Sequence, residues 1–357
     1  MPPTRNRLSR LLARGLATLL MASLPALAAS YELGQGYPIA GPSLIASGYV
    51  SVRAAHLEGE PAKLTLQDAS LLLHGDASPV WHFFAEIELS NALVYTHDGL
   101  KTSDADLDFE RLYLDHNLSA RTTLRLGKFL TPIGRWNQIH ADPLVWTVSR
   151  PLTTAAAFAR NASGAQFLGS WPVEDAAIDF TVYLDDSARL DPSEGQEKTF
   201  LDISLQPNPP SSFRHGGGSR LVYRNFDDSL QLGLSLARYT LKDLPGSKSL
   251  LGADFFYGRN NLELTGETVY RHDGQHGEGD EWGAFLQLAV PLGGGFYGIA
   301  EQEHYKAALF PRPVDSTSVG VTWRPRPPFS IKLERRESRG EERLAPDGWL
   351  CSIAILL

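Results

Sequence analysis

The sequence predicts an all-β protein: a transmembrane antiparallel up-and-down β-barrel of about 16 strands, within a range of 14–18, with long outer loops and short periplasmic turns. Three observations lead there. Apolar residues alternate with polar or small ones from about residue 44 to the C-terminus. Most of these runs are about eight to twelve residues long, which matches a tilted strand crossing a bilayer better than the five or six residues usual in a soluble sandwich. Short and long links between the runs alternate regularly, as they do between the two ends of such a barrel.

The composition narrows the class further. The chain has 357 residues, a formal net charge of −8 and a single cysteine, Cys351. An acidic chain of this size is not a polyanion-coating protein, so nucleic acid is not an expected partner. No intramolecular disulfide is possible, and stability in an oxidising compartment has to come from elsewhere; a closed hydrogen-bonded sheet supplies it. Beyond the first segment, no stretch approaches the roughly 18 uninterrupted apolar residues of a membrane helix.

That first segment reads as an address. Arg5, Arg7, Arg10 and Arg14 precede the apolar run Gly15 to Leu24, which ends in Pro25-Ala26-Leu27-Ala28. A basic start, a hydrophobic stretch too short to anchor, and small residues at Ala26 and Ala28 fit a cleaved secretory signal peptide over 1–28. Removing it leaves 329 residues and a more acidic chain, since all four lost charges are basic. Residues 29–43 are expected to form a short periplasmic N-terminal segment, and 44–357 the outer-membrane barrel of a Gram-negative bacterium.

The strand signal is clearest in Ser229 to Ala237, where every even position is Leu and every odd one is polar or small. One face is oily and the other wet. Trp81, Phe83, Ala85, Ile87 and Leu89 oppose His82, Glu86 and Glu88. Ile178, Phe180, Val182 and Leu184 oppose Asp179, Thr181, Tyr183 and Asp185, and Trp282 to Val290 opposes Glu281, Gly283 and Gln287 in the same way. Unpaired backbone groups in hydrocarbon cost several kcal/mol each, so a sheet of this kind has to close on itself. Short links are expected near 74–79, 117–120, 172–176, 226–228, 259–260, 291–295 and 325–328. Long ones are expected near 55–63, 91–106, 131–163, 186–218, 241–248, 272–280, 306–314 and 338–347. The apolar run Phe200 to Leu205 would break this phase as a spanning strand and is placed inside a long outer loop.

A barrel of about 16 strands encloses an aqueous bore, so passage of small hydrophilic solutes is the expected function. The longest connection, 131–163, carries the packing anchors Trp136, Trp146 and Phe158, and is expected to fold inward and narrow the bore. From Arg111 to Arg160 there are seven bases, Arg111, Arg121, Arg125, Lys128, Arg135, Arg150 and Arg160, against two acids, Asp115 and Asp142. One reading is a basic ladder lining the pore and favouring anions, with guanidinium forks suited to phosphate or carboxylate. The other is that these bases pair with inward acids such as Glu86, Glu88, Asp179 and Glu263.

The run Leu124-Arg125-Leu126-Gly127-Lys128-Phe129-Leu130-Thr131-Pro132-Ile133-Gly134-Arg135-Trp136-Asn137 resembles the strand and loop entry of the phosphate-selective porin O and P family. Asp142 to Pro151 looks like its proteobacterial porin-like relatives. The resemblance is specific over about 105–160 and implies a 16-stranded, homotrimeric outer-membrane channel whose inward loop and basic residues favour anions. The chain departs from that family in lacking a dense run of lysines and in ending Ile355-Leu356-Leu357 rather than in an aromatic residue.

No catalytic pattern is present. His82, His116, His140 and His304 lie on different segments, and there is no Gly-x-Ser-x-Gly, His-Glu-x-x-His or phosphate-loop motif. His140-Ala141-Asp142 reads as a hydrogen-bonded turn rather than a metal site. Asp104, Asp106, Asp108 and Glu110 read as a solvated strand entry or a divalent-bridged lipopolysaccharide contact. The expectation is a channel, not an enzyme, with no cofactor and no metal, in contact with outer-membrane lipid and lipopolysaccharide. The alternative is a structural or surface-interaction barrel whose lumen is blocked by its loops.

Overall fold

The computed structural model of the chain describes residues 34–39, 43–102, 105–139, 141–191, 213–242, 246–274, 279–308 and 310–357. The signal segment, Phe200 to Leu205, Asp104 and His140 lie outside the described residues.

Sixteen strands of 9 to 16 residues form the wall. In chain order they are β1 (Leu44–Leu57), β2 (Lys63–Ser78), β3 (Trp81–Thr96), β4 (Asp106–Asn117) and β5 (Thr122–Leu130). Then follow β6 (Asn161–Val173), β7 (Ala176–Asp185), β8 (Phe213–Asn225), β9 (Leu230–Leu241), β10 (Ser247–Arg259) and β11 (Leu262–Asp273). The last five are β12 (Glu281–Gly293), β13 (Phe296–Lys306), β14 (Val314–Trp323), β15 (Phe329–Gly340) and β16 (Gly348–Leu356). Each pairs antiparallel with the next. The wall closes where β16 pairs with β1, from Gly348 opposite Leu57 to Leu356 opposite Tyr49. Two short extended pieces, Tyr37–Pro38 beside β1 and Gly99–Lys101 beside β3, extend the sheet without adding a spanning strand.

The alternation in the sequence becomes an inverted molecule. Leu234 is 59 % exposed while its neighbour Ser235 is fully covered, and Leu232, Leu236, Leu251, Leu286 and Leu333 are exposed in the same phase. Buried positions on the strands are rich in charge: Glu86, Glu88, Arg220, Asp254, Glu267, Glu303, Lys332 and Glu334. A water-soluble protein places such groups the other way round. No helix among the described residues is long and apolar enough to cross a membrane.

The links have two kinds. At one end are tight turns, such as Asn260 and Asn261 between β10 and β11, with φ of 53° and 62°. Two successive residues with positive φ match the twist of a two-residue hairpin, and Asn tolerates that conformation. At the other end are the long connections, of which 131–160 bears two short helices, α1 (Trp136–Ile139) and α2 (Leu152–Ala155).

Candidate functional site

The connection between β5 and β6 packs against inward-facing residues of the wall. Its two ends are stapled together by Asn137, whose side-chain amide donates to the carbonyls of Thr131 at 2.8 Å and Arg160 at 3.1 Å. Between them, wall carboxylates hold the loop backbone. Glu303 on β13 accepts the N–H groups of Leu152 and Thr153 at 2.9 and 2.8 Å and the Thr153 hydroxyl at 2.7 Å. Glu334 on β15 accepts the N–H groups of Val148 and Ser149. Glu267 on β11 accepts the Trp136 N–H, and Glu263 accepts the Trp146 indole N–H at 2.7 Å. Successive N–H groups converging on a carboxylate are charge-assisted bonds, roughly twice as strong as neutral ones. Lys332 works in the opposite sense, donating to the Asp142 side chain at 3.0 Å and to the carbonyls of Asp142 and Thr147. Gly134, at φ 66°, lies so close to the wall that a Cβ there would meet Glu267 Oε2 at 2.3 Å.

Apolar contacts complete the attachment. Trp136 packs with Val145 and Phe285, and Trp146 with Ala289 and Ile299. Val148 joins Ala55, Leu57 and Leu350, while Phe158 sits in a cluster with Phe129, Ile133, Tyr183, Phe213 and Tyr239. The loop therefore touches wall strands on widely separated parts of the barrel.

Most of the bases singled out in the sequence have acidic partners. Arg111 donates to Glu86 at 2.5 Å with its guanidinium over the Phe84 ring, and Arg125 forms a two-point bond to Asp115 at 2.8 and 2.9 Å above Tyr113. Lys128 bridges Asp108 and Asp191 at 3.0 and 3.3 Å. Arg160 pairs with Glu110 at 2.6 Å and lies 3.9 Å from Glu88. A one-residue slip in the β3–β4 ladder between Glu86 and Ile87 leaves Glu110 bulged beside Arg111, so each can meet its own partner. Arg135 donates to Gln231 at 2.8 Å and lies over the Phe256 ring. Arg150 is half-buried, with its guanidinium 5.2 Å from the Trp136 ring. Burial, and then repulsion from Arg160, lower its pKa to about 10, so it stays cationic at neutral pH. Arg121 is a correction to the pore-lining set: it lies in the exposed turn between β4 and β5, at the end of the wall away from the loop.

Between loop and wall lies a cavity of about 110 Å³. On the loop side it is lined by Trp136, Asn137, Thr154, Phe158, Arg150 and Arg160. The wall side, from β1–β4, contributes Arg53, Asp68, Glu88 and Glu110, with Asp106 and Asp108 at the mouth. Arg53 and the clamping acids Glu267, Glu303 and Glu334 were not singled out in the sequence. The signal for them was phase: Ser330, Lys332 and Glu334 alternate with Ile331 and Leu333, which places them in the bore. Asp142 is held by Lys332 and by the Ser352 hydroxyl at 3.1 Å. Among the described residues, no three His, Cys, Asp or Glu side chains converge to hold a metal.

A sealed 16-stranded wall with a polar interior and a loop packed against it is the fold of the outer-membrane porins. The anion-selective porin from Comamonas acidovorans is similar over 88 % of this chain and 98 % of its own, with a TM-score of 0.60 and 14 % identity. OmpF of Salmonella typhi, solved with daunomycin, matches over 88 % of this chain and 97 % of its own, at a TM-score of 0.59 and 9 % identity. A mutant of the Rh. blastica porin covers 88 % of this chain and 100 % of its own, at 0.53 and 10 %. In sequence, an uncharacterized protein of Aquifex aeolicus (strain VF5) is 41 % identical over 69 residues, a stretch that is 19 % of this chain and 15 % of that relative. No protein-family model matches the chain.

Proposed function

We propose that the protein is an outer-membrane channel through which small hydrophilic solutes diffuse, exported by a cleaved signal peptide over residues 1–28 and assembled as a homotrimer. The carrying observation is the polar interior of a closed wall with the 131–160 loop packed against it, and the cavity between that loop and β1–β4 is assigned as the passage. Arg53, Arg150 and Arg160 meet Asp68, Glu88 and Glu110 there, so a solute passes between opposed charges. Selectivity follows from that balance. Three guanidiniums face five carboxylates, Asp68, Glu88, Glu110, Asp106 and Asp108, so the lining by itself gives no net preference for anions. What supports an anion preference is the fold shared with an anion-selective porin. A dedicated phosphate filter of the phosphate-selective porin kind has less support, because Arg111, Arg125, Lys128 and Arg160 are each held by acids.

A second reading, a structural or surface-interaction barrel with a blocked lumen, is favoured by the small volume of that passage and by the many attachments of the loop. Planar-bilayer recording of the purified protein separates the two. Stepwise conductance with a reversal potential displaced towards the anion supports the channel; silence from protein with the electrophoretic behaviour of a folded barrel supports the blocked one.

A further inference from the structure

On the outward face, register partners line up across four strands near the loop end of the wall. One row is Gly217, Arg238, Ser249 and His272, on β8, β9, β10 and β11. The next, two residues along each strand and about 7 Å away by strand geometry, is Ser219, Leu236, Leu251 and Tyr270. Small residues at Gly217, Ser219 and Ser249 stand where other parts of this face carry leucine, and the result is an open concavity of about 430 Å³. Its lower part is aliphatic, with Leu236 and Leu251 both more than half exposed. Its upper part is polar and carries a cation. Arg238 Nε donates to Ser247 Oγ at 3.1 Å, a contact that uses one of the five guanidinium donors. His272 flanks it, held by Asp280 at 2.8 Å, and Asp280 is occupied further by the Tyr270 hydroxyl.

We propose that this concavity binds a phosphorylated lipid of the outer leaflet, with an acyl chain lying along Leu236 and Leu251 and a phosphate on Arg238. The order of chemistry along the wall, aliphatic below and guanidinium above, is that of an amphiphile standing in its leaflet, and the planar fork of Arg matches phosphate oxygens in pairs. A second copy of the chain would instead need a complementary knob with its own polar partners. The inference rests on the outward wall facing lipid and is independent of whether the bore conducts.

The test uses the full-length barrel in phosphatidylcholine nanodiscs, offered lipid A or its dephosphorylated form and analysed by native mass spectrometry. The wild type retains lipid A in preference, by about tenfold for a two-point charge-assisted contact. Arg238→Gln abolishes the preference and Arg238→Lys restores part of it, whereas the double substitution Ser219→Leu and Ser249→Leu reduces retention of both lipids. Heat-modifiable migration on electrophoresis verifies folding, and should the double variant fail that check, the two Arg238 variants decide. Unchanged preference in Arg238→Gln overturns the proposal. So does a disulfide-linked dimer formed through Ser249→Cys in a Cys351→Ser background, which would make a second copy the occupant.

Discussion

Glu334 holds Ser149 by two bonds, one from the backbone N–H at 3.1 Å and one from the hydroxyl, although the two residues are 185 apart in the chain. The same carboxylate takes the Val148 N–H at 2.6 Å and the Ser318 hydroxyl at 2.9 Å. Removing it leaves several covered donors without an acceptor. Glu334→Ala is expected to weaken loop attachment by about 3 kcal/mol. Limited proteolysis of the folded barrel should then cut between 143 and 151 while the wall persists; a loop as resistant as the wild type would contradict the clamp.

Arg150 lines the passage and Arg125 does not. One charge seen by an ion about 8 Å away through water is worth about 0.5 kcal/mol, or roughly a twofold change in permeability ratio. Arg150→Gln should lower the anion-to-cation ratio by that amount, read as a shift of reversal potential in a salt gradient. Arg125→Gln, close to the short turns and beside Asp115, should move it much less. Equal shifts for the two variants would remove the passage from its assigned place.

The Arg111 and Glu86 pair joins β4 to β3, with the carboxylate fully covered. Arg111→Gln strands a buried anion and is expected to cost about 3 kcal/mol in urea unfolding from vesicles. Adding Glu86→Gln should recover most of the loss. If the double variant is as weak as the single one, the cost lies in packing on Phe84 and not in the charge.

Leu234 faces outward with more than half its surface exposed. Where that surface meets lipid, Leu234→Arg costs about 2–4 kcal/mol near the bilayer midplane. Folding equilibria in vesicles measure it. A neutral substitution at this site would mean that β9 faces something other than hydrocarbon.

The wall was legible in the sequence because a strand has a period of two, so which face each residue takes is decided by its immediate neighbours. Leu230 to Leu236, the alternation of short and long links, and the count of about 16 strands all depend on that local rule. What it leaves open is shown by the run from Glu281 to Val290. Phe285 and Ala289 share the inward face with Glu281 and Gln287, and their burial makes sense only once Trp136 and Trp146 arrive from a loop more than a hundred residues earlier. Charge behaves likewise. Seven bases between Arg111 and Arg160 were visible as a string, but their partners Glu86, Glu88 and Asp191 come from other segments, and the closing of the sheet brings them within reach. Periodicity is a property of adjacent residues and is written in the chain; pairing across a bore depends on curvature and closure, which belong to the assembled barrel alone.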